Sequence, residues 1–114
     1  MNLNDVQKLV YEEYKKNGYL DMWTYNDNPN LYPEIQRIAD LAEAGLIGTE
    51  VSEVQEAIRE YGYPMLKDMV GFELADVIIR CMNLASRKGI ELEKYIMDKH
   101  KLNIDRGNRH GKEI

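Results

Sequence analysis

The sequence is short of the features that mark secreted, membrane-embedded or repetitive chains. One cysteine, Cys81, in 114 residues leaves no intramolecular disulfide to form. A lone thiol of this kind reads as a buried apolar residue in a reducing compartment, so the cytoplasm is the expected location. No apolar run comes near the ~18 residues that a spanning helix needs, and no membrane contact is expected. Met1-Asn2-Leu3-Asn4-Asp5 lacks the charged and apolar regions of a signal peptide. The two histidines, His100 and His110, have no metal-ligand spacing. Basic residues are outnumbered, 15 against 20 acids for a net charge of −5, which argues against general nucleic-acid binding. Strand alternation, internal repeats and low-complexity runs are all missing, so the elements that remain are helical.

A hydrophobic share of 44% and a charged share of 31% are those of an ordinary globular domain. The length predicts a single domain over residues 1–114. Four helices are expected. Residues 3–17 carry Leu3, Val6, Leu9, Val10 and Tyr14 near a 3.6 period, with Asn2 or Asn4 as the cap and Asn17-Gly18 as the stop. Residues 18–32 show turn chemistry in Asn26-Asp27-Asn28-Pro29-Asn30, punctuated by Tyr19, Trp23, Tyr25 and Tyr32. Such a loop could cover a pocket, with Trp23 either pinning it to the core or touching a ligand. Pro33 opens a second helix that runs to about Tyr61, where Gly45 and Gly48 mark either a kink or a close helix approach. A third helix runs from Leu66 or Gly71 to Lys88-Gly89, and a fourth from Glu91 to about Leu102. Residues 103–114 read as a polar tail. The predicted architecture is an all-α, four-helix bundle.

Two carboxylate pairs organise the chemistry. Glu50 and Glu53 lie three positions apart in the second helix, Glu73 and Asp76 in the third, and residues at i and i+3 share a helix face. Both pairs are flanked by apolar stripe positions, where carboxylates are costly unless something neutralises them. A shared divalent cation would do so, and ligands that are all oxygen suit Mg²⁺ or Mn²⁺. Acids at this spacing are also common on solvated faces, which is the reading for Glu56 and Glu60.

The charge distribution bears on the choice. From Lys99 to Lys112 there are five bases (Lys99, Lys101, Arg106, Arg109, Lys112) and one acid, Asp105, for +4; the remainder holds 10 bases and 19 acids, for −9. An acidic body with a basic end suits a metal–polyphosphate ligand, with acids for the metal and Arg or Lys for phosphate. A solvated basic tail is the plainer alternative.

The string Gly48-Thr49-Glu50-Val51-Ser52-Glu53-Val54-Gln55-Glu56-Ala57, followed by Glu73-Leu74-Ala75-Asp76-Val77-Ile78-Ile79, resembles the ExxE…ExxD signature of the MazG-like all-α nucleotide pyrophosphohydrolases. Lys99, Asn103, Arg106 and Arg109-His110-Gly111-Lys112 resemble the end of the same family, so the match spans roughly residues 33–112. The resemblance implies that Glu50, Glu53, Glu73 and Asp76 are the Mg²⁺ ligands and the catalytic centre. It implies triphosphate contacts at Lys99, Asn103 and Arg106, with Arg109 matching by position; Trp23, outside the match, is the loop aromatic that could touch the base.

The implied reaction converts a nucleoside triphosphate, usually a deoxynucleotide or an aberrant one, to its monophosphate and pyrophosphate. Homodimers or homotetramers are implied as well, with another subunit completing the pocket. Two departures stand out: Thr49 where many members carry an extra acid, and Gly107-Asn108 in place of the usual Pro-Tyr. They bear on the tail and the base preference more than on the metal chemistry. The rival readings are a phosphoribosyl-ATP pyrophosphohydrolase and a non-catalytic helical oligomerisation or regulatory module.

Overall fold

The computed structural model describes residues 1–17 and 32–110. Within them the chain forms α1 (Leu3–Lys16), α2 (Tyr32–Glu60), α3 (Leu66–Arg87) and α4 (Leu92–His110), with no strand among the described residues. The all-α expectation with four helices therefore holds. The connection over 18–31, and Trp23 with it, lies outside the described residues, as does 111–114.

Local chemistry sets the helix ends. Of the two candidate caps, Asn2 is the one used. Its side chain accepts from the Asp5 N–H at 2.9 Å, while the Asp5 carboxylate accepts from the Asn2 N–H at 3.1 Å. This reciprocal pair satisfies two donors that would otherwise be orphaned. α3 closes at Gly89, whose φ of 71° is the left-handed conformation that only glycine adopts without steric cost. The Ile90 N–H then reaches the Ala85 carbonyl at 2.8 Å and the Gly89 N–H reaches Ser86 at 3.1 Å, a complete Schellman motif.

Two expectations need correction. α2 is continuous through Gly45 and Gly48, and a methyl group built on either would meet no atom within 4 Å. The glycines neither break the helix nor admit a neighbouring helix of the same chain. The fourth helix does not stop near Leu102 but continues to His110. Residues 103–110 lack an apolar stripe and so read as a tail, yet they contain no proline to remove a backbone donor, and Gly107 alone only weakens a helix.

α2 and α3 pack antiparallel along their lengths, with Glu50 meeting Arg80 and Glu43 meeting Arg87 as one index rises and the other falls. α1 lies against α3, and α4 leans on α1 rather than joining the α2–α3 pair. Gln7 fixes that corner. Its buried amide donates to Ser86 Oγ at 3.0 Å and to the Ile90 carbonyl at 2.7 Å, and its oxygen accepts the Leu92 N–H at 3.1 Å, capping α4. Gln7→Ala removes three bonds and strands a helix-start donor. Chemical denaturation should show a loss of about 2–3 kcal/mol, whereas a change under 0.5 kcal/mol would mean that water replaces the amide.

The core of the described chain is small. Among the described residues, the buried apolar side chains are Tyr14, Ala39, Ala57, Met82 and Ala85. Large apolar residues stay outside, among them Leu41, Ile58, Phe72 and Ile78 on α2 and α3 and Ile96, Met97, Leu102 and Ile104 on α4.

Candidate metal centre

The α2–α3 seam is built on heptad spacing. Along α2 the inward positions are Ala39, Glu43, Leu46, Glu50, Glu53 and Ala57, separated alternately by four and three residues; along α3 they are Glu73, Asp76, Arg80, Asn83 and Arg87. That alternation holds one stripe of each helix toward its partner. In a packed helix pair these positions are normally apolar. Here most carry charges or amides, and they sort into two zones.

The first zone is the acidic quartet. Glu50, Glu53, Glu73 and Asp76 each offer a carboxylate oxygen, and these four atoms lie within 4.8 Å of one another. Glu50 and Glu73 are half-buried, Glu53 and Asp76 exposed. Arg80 reaches Glu50 at 3.3 Å and, among the described residues, is the basic side chain paired with the cluster. The proton affinity of Glu53 is raised, first by its hydrogen bond with Glu50, then by the Glu50 charge, partial desolvation and Glu73. One oxygen of Glu73 is buried without a hydrogen-bond partner. Four oxygen donors, one of them orphaned and another with raised proton affinity, fit a hard divalent cation.

The second zone lies one heptad along, at Glu43 and Arg87. Glu43 is 2% exposed and the Arg87 side chain 5%. Arg87 donates to Glu43 at 3.4 Å and also pairs with Asp40, which Lys88 meets at 2.7 Å. Tyr14 of α1 donates its hydroxyl to Glu43. Burial, then this bond and the Glu43 charge, push the Tyr14 phenol well above the ordinary tyrosine value, so it stays a donor throughout the neutral range. Two acids and two bases balance, which is what makes so buried an ion set tolerable.

A groove of about 690 Å³ connects the zones, with Glu53 and Asp76 at one end and Glu43, Asn83 and Tyr14 at the other. Arg80 stands between them.

The sequence-predicted residues divide accordingly. The quartet is brought together. Lys99 and Asn103 instead line a shallow hollow on α4 with Tyr95 and His100, and Arg106 is exposed further along that helix. No described residue of α4 lines the groove. Arg109 falls within α4, its side chain outside the described atoms. Arg80, Asn83, Glu43 and Arg87 were not singled out from sequence. Their signal is the register itself: Arg80 is four residues after Asp76, and Asn83 and Glu43 are each seven from a member of the quartet. No family model, curated protein or solved structure matches this chain.

Proposed function

We propose that this chain is a Mg²⁺-dependent nucleoside triphosphate pyrophosphohydrolase of the MazG-like kind, acting on deoxynucleotides or aberrant nucleotides to release the monophosphate and pyrophosphate. The observation that carries the reading is the convergence of Glu50, Glu53, Glu73 and Asp76, within 4.8 Å, at the end of a groove that also holds a cationic side chain. The quartet would hold Mg²⁺ or Mn²⁺, which when bound neutralises phosphate oxygens and acidifies water.

The chain's own residues account for the rest. Arg80 lies beside Glu50 and is placed to take a phosphate oxygen in the groove, bidentately if it turns from the carboxylate. Glu53, whose proton affinity its neighbours already raise, suits the role of acceptor for the proton of the attacking water. Lys99, Asn103 and Arg106 stand on a helix that does not reach this groove, so within one protomer they cannot clamp the same triphosphate. A homodimer or homotetramer resolves this, with α4 of another copy bringing the bases to the quartet. The exposed apolar side chains of α2, α3 and α4 support that assembly, since burying them stabilises it by roughly 25 cal/mol per Å².

The test is pyrophosphate release from a panel of ribo- and deoxynucleoside triphosphates, with and without Mg²⁺, followed by phosphoribosyl-ATP. Release that requires the cation supports the reading. A folded, cation-binding protein inactive on the whole panel would leave a non-catalytic helical module in its place.

A further inference from the structure

At the inner end of the groove two polar atoms have no hydrogen-bond partner among the described residues. Glu43 uses Oε1 for both Tyr14 and Arg87, while its Oε2 is buried and receives no donor. Across the seam on α3, Oδ1 of Asn83 is in the same condition, and Asn83 is only 5% exposed. Both residues line the groove that ends at the quartet. Buried acceptors normally find donors, and leaving these two without one on facing helices costs folding free energy.

Glu43 is seven residues from Glu50 and Asn83 is seven from Asp76. Two helical turns separate each from the quartet, about 10.5 Å along the helix axis. That span matches a nucleoside whose phosphates sit at the acidic end. A ligand edge arriving between Glu43 and Asn83 must therefore bring donors. Adenine, cytosine and guanine each carry an exocyclic amino group, at ring positions 6, 4 and 2 respectively, whereas thymine and uracil carry none and offer only a ring N–H between two carbonyl oxygens.

We infer that Glu43 and Asn83 read the base, favouring nucleotides whose amino group and ring edge can serve two acceptors over thymine and uracil, whose single ring N–H is flanked by carbonyl oxygens that would face an acceptor. The inference rests on the groove being a nucleotide site, and it assigns the specificity of that site to two residues outside the metal cluster. Arg87 and Tyr14 are positioning residues here: they hold Oε1 of Glu43 so that Oε2 remains for the ligand.

The experiment is calorimetric titration of the full-length protein, free of divalent cation, with dAMP, dCMP, dGMP, dTMP and dUMP. At least one amino-bearing nucleotide should bind about tenfold or more tightly than dTMP and dUMP, the scale set by leaving buried polar groups unpaired. Asn83→Leu, which removes an unpaired acceptor, should keep or raise the thermal midpoint of the free protein and bring all five nucleotides within about twofold; Asn83→Ala serves if leucine overpacks. Equal binding of all five by the wild type overturns the inference, as does a preference that survives both Asn83 variants. Mg²⁺-dependent hydrolysis blind to the base leaves the hydrolase standing without it. Base-selective binding with no hydrolysis of any triphosphate does the reverse.

Discussion

Glu53→Gln is expected to lower pyrophosphate release by at least about 100-fold, since losing even an outer partner of a metal ligand costs 10- to 100-fold. The same variant should make the cation-free protein more stable. Its neighbours raise the folded-state proton affinity of Glu53 above the ordinary 4.5. A group shifted in that direction supports the fold below its unfolded pKa and withdraws that support as pH rises through the folded value. The cation-free wild type should therefore lose stability from this source on going from about pH 4 upward past the raised value, and Glu53→Gln should flatten that slope. Mg²⁺ should restore the wild type, by about 2.7 kcal/mol at a hundredfold excess over its Kd, and do much less for the variant. Thermal melts at several pH values with and without Mg²⁺ decide the matter. A variant as active as the wild type, or as strongly stabilised by the cation, would remove Glu53 from the centre.

Arg87→Met should cost about 3–5 kcal/mol, much of the 5–15 kcal/mol that holds a domain of this kind together. The magnitude follows from what is left behind: Glu43, 2% exposed, would keep the Tyr14 hydroxyl but lose the guanidinium it pairs with, while Asp40 retains Lys88. Pairing Arg87→Met with Glu43→Leu should recover most of the loss, because replacing a whole buried ion pair by apolar groups is often neutral. Urea denaturation of the two single variants and the double variant closes the cycle. Additive losses would mean that the two side chains do not share one desolvated pair.

The sequence spoke clearly where periodicity and chain punctuation act alone. Asn2 before Leu3, Pro33 in the first turn of α2 and Gly89 after α3 each impose a local backbone requirement, and each falls where expected. The carboxylate quartet was legible for a related reason: an i, i+3 spacing fixes which face a side chain takes, whatever that helix packs on. Arg80 and Asn83 were less visible because their meaning depends on the pairing register of α2 with α3, and a single helix does not state its partner's register. The extent of α4 was misread because polar residues without a stripe resemble a tail, although helical hydrogen bonding needs no stripe. The distance from Lys99 and Arg106 to the groove depends on how α4 leans, a tertiary choice made by Gln7 and the turn after Gly89.

Among the described residues α4 is held at its base, by Gln7 and by its contact with α1, and from Lys94 to Gly107 every residue is exposed. A helix draws most of its stability from tertiary packing, and the solvent-exposed Lys94–Asp98 pair adds little to this one. Its amide hydrogens past the first turns therefore exchange through local opening, at far lower free energies than those of the α2–α3 seam. If copies associate through α4 as proposed, exchange protection there is expected to rise with protein concentration while protection in the seam stays fixed; protection independent of concentration would count against that assembly. In the proposed assembly the segment carrying Lys99, Asn103 and Arg106 would take its packing from a neighbouring copy, so its order would follow protein concentration as well as sequence.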